Sequence, residues 1–536
     1  MEIKETKSGI RWWKRFLVFV YGLQGVLFLP VLFCVIFIGN NMDYYEDRKQ
    51  GALLPNAVLF AIVVLGGVCL FALSWLFEKY EMTKKIDYGL NGILAILFLL
   101  LYFVNIWIAK EIVFFMGWDI QEVRWAAESM AAGQPIEGFY FSLYPNNIPI
   151  SYILGWLLKK VKDISGYPYY PEFIHVQVNC ALISLSGFFC CLTVKKLTRK
   201  IVPTIITFLV YLALPGLSPW KIGPYTDTYG MLFPILCIYF YFCYRDAQKN
   251  FARYLFLFFS LLSGMCGGLI KPSAYIVVIA VLGVEFVRLF MEKGKSWKYF
   301  ATEVLLTLSL VFAVKASMNY MVDELKISYN PKISASWQTY LLMGLNEETT
   351  GSYSEDIYRI VIEFQEEKEA RNEAALSRAI ERLKEKGPLG TVYFWLRKMV
   401  MVFNDASFEW QRFGYVEFTY PAVMASNTAM TQKLRDLFWP EAAHTGRYHT
   451  FCQMVWIFCL IGLSGLAFTP KEKREKYLIL VVSFLGIFLY QMLFEARSRY
   501  LFVFLPLLIA ASTVGMRQYM ELVWKALRDR KARRNR

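Results

Sequence analysis

Residues 90–119 read LNGILAILFLLLYFVNIWIAKEIVFFMGWD. From Leu90 to Met116 the side chains are almost all apolar. The run exceeds the roughly 20 residues a helix needs to cross a bilayer. A helix apolar all round is buried in a large core or in lipid, not laid on a soluble surface. The run ends at Gly117-Trp118-Asp119, so a carboxylate stands where the chain leaves the membrane.

The rest of the chain repeats this pattern. Apolar runs near 16–39, 53–78, 90–116, 173–194, 201–219, 228–244, 253–270, 273–290, 300–319, 451–468, 477–494 and 500–516 predict about twelve spans. Composition agrees: 57% of the 536 residues are hydrophobic, 17% aromatic and only 19% charged. An ordinary soluble domain, with about 25% charged residues, is excluded. So are a disordered chain and, with only 10 Cys, a disulfide scaffold.

The formal net charge is +15. In a soluble chain this would point to nucleic acid; here it fits the rule that Lys and Arg gather in cytoplasmic loops, and no nucleic-acid partner is expected. Basic clusters lie at Lys4–Arg15, Lys79–Lys85, Lys195–Lys200, Lys293–Lys298, Lys471–Lys476 and Arg528–Arg536. An even number of spans with the N-terminus inside puts all of them on the cytoplasmic side. The first apolar run lacks a small-residue cleavage site, so it is expected to remain as an anchor. No Asn-x-Ser/Thr sequon occurs, which fits a bacterial plasma membrane. Residues 148–158 are too short to span, and spanning by 389–403 would break the charge parity. Both are expected to be interfacial or re-entrant helices.

The expected architecture is an all-α membrane protein with interfacial helices and a mainly helical extracytoplasmic domain. Residues 1–86 form a two-helix membrane extension and 87–319 a membrane core with an outer loop at 117–172. Residues 320–450 form the extracytoplasmic domain. Residues 451–536 hold the last spans and a basic cytoplasmic tail.

Common hydrolytic motifs are missing. The chain has three His and no HExxH, CxxC, Walker lysine loop or GxSxG elbow. Most Cys lie in apolar runs and read as small buried hydrophobes. Catalysis must then rest on carboxylates and basic residues. Asp119 follows one span at once, with Glu122 one helical turn on. Asp227, in Pro224-Tyr225-Thr226-Asp227-Thr228-Tyr229, opens another. Lys271, in Gly268-Leu269-Ile270-Lys271-Pro272, sits at a hairpin. Arg497 and Arg499 sit at a further one, Glu495-Ala496-Arg497-Ser498-Arg499-Tyr500. All fall on the outer face. A carboxylate there can take a proton from an acceptor hydroxyl attacking an anomeric carbon. Fixed cations can steady a departing phosphate.

Each residue also has an ordinary structural role. Asp119-x-x-Glu122 is a capping box, and Asp227 an N-cap for 228–244. Lys271 can snorkel, and one of the two arginines can be an interfacial anchor. Tyr144-Pro145-Asn146-Asn147 can be a plain turn. The Glu- and Lys-rich run 363–386 reads as a solvated helix face.

In these motifs the sequence resembles the polytopic GT-C glycosyltransferases, in the branch of protein O-mannosyltransferases and lipid A aminoarabinose transferases (family 39-like). The resemblance covers 86–516, in order. It comprises the Gly117-Trp118-Asp119 loop, Tyr144-Pro145-Asn146-Asn147 before a short helix, the Pro-x-Thr-Asp loop, the Gly-x-x-Lys-Pro hairpin, a large late outer domain and Arg497-x-Arg499-Tyr500. Met343-Gly344-Leu345-Asn346 and Gly351-Ser352-Tyr353 are similar to segments of Gram-positive members.

The resemblance implies a GT-C-like core and an inverting transfer from a polyprenyl-phosphate sugar donor to a cell-envelope glycan, lipid or protein. It implies Asp119 as catalytic base and Asp227 as a second active-site acid. Lys271, Arg497 and Arg499 would bind donor phosphate, and Glu122, Tyr144, Asn146, Asn147 and Tyr225 would line the pocket. The resemblance fixes no cofactor. A divalent metal between Asp119 and Asp227, as in oligosaccharyltransferases, is the one candidate, although their metal-binding acid pair is absent here. Asp119 is followed by Ile120, where protein mannosyltransferases often carry Asp-Glu. Two other classes stay open: a transporter or flippase of lipid-linked saccharides, which would need ionisable residues near span centres, and a polymerase or ligase of lipid-linked oligosaccharides. Most acids lie at span ends; Glu285 and Glu303, and Lys315 among the bases, are the exceptions.

Overall fold

Lipid offers no hydrogen bonds to the backbone, so the apolar runs have to close their amides internally as helices. The computed structural model describes residues 7–39, 51–77, 82–165, 171–290, 297–416 and 427–534. Lys4, Lys79, Lys293, Lys295 and Arg536 of the basic clusters lie outside the described residues. The chain is an all-α polytopic membrane protein. Its first half comprises α1 (Lys7–Phe37), α2 (Asn56–Phe77), α3 (Lys84–Ile112), α4 (Asp119–Ala132), α5 (Gly138–Leu143), α6 (Ile148–Ser165), α7 (Pro171–Thr198), α8 (Ile201–Tyr211), α9 (Thr226–Tyr229), α10 (Leu232–Asp246) and α11 (Asn250–Ile270). The second half comprises α12 (Tyr275–Leu289), α13 (Trp297–Leu325), α14 (Trp337–Gly344), α15 (Asp356–Phe364), α16 (Lys368–Phe403), α17 (Trp410–Phe413), α18 (Ala429–Phe438), α19 (Thr445–Gly465), α20 (Arg474–Leu493) and α21 (Leu505–Arg534).

Ten of these, among the described residues, are long and apolar enough to cross a membrane: α1, α2, α3, α7, α11, α12 together with the 3-10 turn before it (Pro272–Leu289, 18 residues), α13, α19, α20 and α21. Helices α10 and α11 pack together, as do α19 and α21, α3 and α7, and α12 and α20. The segments expected to span at 201–219 and 228–244 are shorter than that. Helix α8 stops at Tyr211 and passes into a π turn at Leu212–Gly216 and a 3-10 turn at Pro219–Ile222; α10 has only 15 residues. Pro215, Pro219 and Pro224 cannot continue the amide ladder. Residues 213–231 therefore fold as turns, nearly all buried inside the bundle. Unwound backbone at that depth needs protein partners. Asn105 of α3 donates to the Gly216 carbonyl at 2.8 Å, and Asn179 of α7 to the Lys221 carbonyl at 2.9 Å.

The expected short helix at 148–158 extends to Ser165, packs on α4 and is not among the ten. The segment 389–403, expected at the interface, is the last part of α16, beyond a kink at Gly387 (φ 62°) and Pro388, and its Leu389, Val392 and Tyr393 are exposed. Met399 to Phe403 are buried. Phe403 meets Phe28 of α1 edge-on at 5.5 Å and stacks on Phe488 of α20 at 6.0 Å. Apolar burial holds this end of the helix against two spans.

Candidate active site

The loop after α3 is tied down by the segment after α16. Strand β1 (Phe115–Met116) pairs antiparallel with β2 (Gly414–Tyr415). The Gly117 amide donates to the Phe413 carbonyl at 3.0 Å, and the Trp118 indole to the Tyr415 hydroxyl at 2.8 Å. Trp118 takes φ 59°, the left-handed region, and α4 starts at the next residue. This corrects the capping-box reading. Asp119 is the first helical residue, Trp118 is the cap position, and no side chain caps the helix. The acid still sits where the helix dipole favours negative charge.

Asp227 is not a cap for the next span. It lies inside the one-turn helix α9, whose cap residue is Tyr225, with the Tyr225 amide bonded to the Thr228 hydroxyl at 3.3 Å. Its side chain is fully buried, and one carboxylate oxygen contacts the Lys271 ammonium. Lys271 is therefore ion-paired, not snorkelling. Its ammonium also lies 4.7 Å from the Tyr500 ring. Burial pulls the Lys271 pKa down, and Asp227 opposes that pull.

Arg499 enters between the two acids. Its Nη2 is 3.8 Å from Asp119 Oδ2 and its Nε 3.6 Å from Asp227 Oδ2. Both separations are too long for hydrogen bonds. The guanidinium lies 4.4 Å from the Phe413 ring centre and 5.3 Å from that of Tyr225. Its Nε and Nη1 are buried and make no hydrogen bond among the described residues, and neither does Asp227 Oδ2. Two acids and two cations thus form a neutral quartet with donors to spare.

A relay of hydroxyls and amides fixes Asp119. Tyr225 donates to Asn147 Oδ1 at 3.2 Å, Asn147 Nδ2 to the Tyr140 oxygen at 2.6 Å, and Tyr140 to Asp119 Oδ1 at 2.8 Å. Burial, then the charge of Asp119, pushes the Tyr140 and Tyr225 hydroxyls well above the ordinary tyrosine range. Both stay protonated donors. Oδ1 of Asp119 is thereby engaged, and Oδ2 faces Arg499.

The remaining expected residues divide. Asn146 donates to Asn147 Oδ1 at 3.1 Å from a 3-10 turn at Pro145–Asn147. Tyr144 packs its ring 5.4 Å from Tyr140. Burial, then Asp119 and Glu137, raise the Glu122 pKa. Arg497 turns away from the quartet to Glu409 at 3.2 Å and Glu495 at 3.5 Å. Neither arginine is an exposed anchor; both are buried.

Several site residues carry weak or no sequence signals. Tyr140 is an ordinary aromatic in the first loop, and Phe413 is one of 44 phenylalanines. Lys398 had one hint, a cation inside an apolar run. Its ammonium is buried and donates to the carbonyls of Gly344 (2.6 Å), Phe494 (2.6 Å) and Met492 (3.2 Å), joining the C-termini of α14 and α20. Burial takes its pKa down to about 7, against the pull of Glu495. The Gly344 and Gly351 segments also converge here, since the Ala496 amide donates to the Gly351 carbonyl at 2.9 Å. A Cβ on Gly344 would come within 2.4 Å of the Phe494 carbonyl carbon, so only glycine fits.

The residues do not fit a divalent metal between Asp119 and Asp227. Arg499 stands between the two carboxylates, and Lys271 already neutralises the buried one. Among the described residues no three His, Cys, Asp or Glu side chains gather as ligands.

Comparison with curated proteins finds no match. Among solved structures, the chain is similar to the crystal structure of ArnT from Cupriavidus metallidurans bound to undecaprenyl phosphate. Identity is 11%, coverage 80% of this chain and 78% of that one, and the TM-score 0.30. A family model described as conserved hypothetical integral membrane protein matches residues 10–520, nearly the whole chain, which belongs to that family.

Proposed function

We propose that the chain is an inverting glycosyltransferase of the bacterial plasma membrane, with both termini cytoplasmic and the site on the extracytoplasmic face. The donor is a polyprenyl-phosphate sugar and the acceptor a hydroxyl of a cell-envelope glycan, lipid or protein. The observation that carries this is the Arg499 guanidinium. It is buried between two carboxylates, with Nε and Nη1 making no hydrogen bond among the described residues. A buried donor without an acceptor costs about 1–3 kcal/mol, so such a group is suited to an anionic oxygen. A phosphate leaving group supplies one. It needs positive charge as it departs, not a proton, and Arg499 with Lys271 provides that. Asp119, its side chain 36% exposed and with Oδ1 held by Tyr140, takes the acceptor proton on Oδ2. Asp227 holds Lys271 and orients Arg499.

A flippase reading keeps one specific observation. Glu285 and Glu303 are buried in the membrane part, accepting from Tyr241 and Tyr244 at 2.7 Å each. The deciding measurement is sugar transfer from purified polyprenyl-phosphate donors to membrane acceptors, wild type against Asp119→Asn. The substitution keeps shape and loses basicity, so a drop of about 10²–10⁴-fold is expected. Undiminished transfer by an equally abundant variant defeats the general-base role. Failure of the wild type with every donor moves the chain to the transport class.

A further inference from the structure

The end of the bundle opposite Asp119 and Asp227 holds a separate cavity of about 400 Å³. Four helix ends meet there: the C-termini of α7, α10 and α12 and the first turns of α20. Five cations line it, namely Lys196, Arg199, Arg245, Arg288 and Lys476. Cations near helix C-termini are ordinary, but ordinary ones stay solvated. Arg288 is only 5% exposed, with Nη2 donating to the Glu475 carbonyl at 3.2 Å. Arg245 reaches back to Glu285 at 3.7 Å, a carboxylate with no exposure. These two arginines form the inner wall.

The acids on the walls do not cancel this charge. Asp246 pairs with Lys196 at 2.8 Å and Glu475 with Arg288 at 3.8 Å, and both acids are about half exposed or more. Glu472 is the third. Counting Glu285 behind Arg245, five cations face four carboxylates. Among the described residues Arg199 makes no ion pair. It closes α7 with φ 52°, its amide bonded to the Lys195 carbonyl at 2.8 Å, in a conformation usually left to glycine. Lys476 donates to the Leu197 carbonyl at 2.7 Å, which brings its ammonium to the same rim.

We infer that this cavity binds the phosphate of an anionic membrane lipid. A basic pocket between spans, at their ends, lies at headgroup depth, and guanidinium groups meet phosphate oxygens in pairs. The inference does not depend on the proposed transferase reaction, because the two sites occupy opposite ends of the bundle.

The test uses the full-length protein, delipidated in detergent, and native mass spectrometry with added phosphatidylglycerol or phosphatidylcholine of equal chain length. Wild type should retain phosphatidylglycerol preferentially. Arg199→Gln combined with Lys476→Gln, both exposed rim positions, should cut that retention about tenfold. Lys249→Gln, an exposed cation at the same end outside the cavity, should leave it unchanged. Inorganic phosphate at millimolar concentration should not displace the lipid. Displacement by phosphate would make a small anion the ligand and overturn the lipid assignment. No preference in the wild type, full retention by the double variant, or equal loss with Lys249→Gln would overturn the site.

Discussion

Asp227→Asn is the perturbation that reads the charge quartet most directly. Asparagine keeps the shape and removes one buried negative charge. Lys271, with its side chain 12% exposed, then loses its carboxylate partner, while Arg499 keeps Asp119 at 3.8 Å. Breaking a buried pair from one side costs about 3–5 kcal/mol. Lys271→Met should cost less, about 1–3 kcal/mol, because Asp227 keeps Arg499 at 3.6 Å. The double variant removes both charges and leaves neither stranded. It should be more stable than the sum of the single losses by about 2–4 kcal/mol. The assay is unfolding in mixed detergent micelles, followed by fluorescence of the 15 tryptophans. Additivity within about 0.5 kcal/mol would refute the pairing, since independent sites add to that tolerance. The same pair separates structure from chemistry. Lys271→Met lowers the net charge of the quartet and should weaken donor phosphate binding, whereas Asp227→Asn raises that charge but frees the two cations from their anchor and should weaken binding less.

Two further expectations follow from the same geometry. Tyr140→Phe removes the donor to Asp119 Oδ1 and should lower transfer about 10- to 100-fold with little change in donor KM, measured by steady-state kinetics; an unchanged kcat would remove Tyr140 from the site. Lys398 has a folded pKa of about 7 against roughly 10.4 when unfolded. The unfolded chain holds the extra proton between these values, so stability should rise with pH from about 7 to 10. Lys398→Met should abolish that part of the pH dependence, seen as a flatter difference between the two unfolding curves; parallel curves would show that the ammonium is not buried.

The spans were legible because crossing a bilayer is a local, one-dimensional property: a sufficient run of apolar residues with charged ends. The same logic placed Asp119 and Lys271 at span ends. It failed at 201–244, where hydropathy continues but prolines interrupt the ladder, and where Asn105 and Asn179, from other helices, make the unwound backbone affordable. At 389–403 the local pattern left out the anchor at its far end, where Lys398 meets three carbonyls from distant segments that no run of neighbours announces.

Sequence alone therefore determined the class of protein and the order of most of its helices. It could not choose between Arg497 and Arg499. The structure separates them by backbone: Arg497 is extended (φ −148°, ψ 152°) and Arg499 lies within the 3-10 turn that follows. One side chain turns to Glu409 and Glu495, the other passes between Asp119 and Asp227. Which acid meets which base, across hundreds of residues, depends on how helices pack and rotate. That is a property of three-dimensional contacts, and no run of neighbouring residues encodes it.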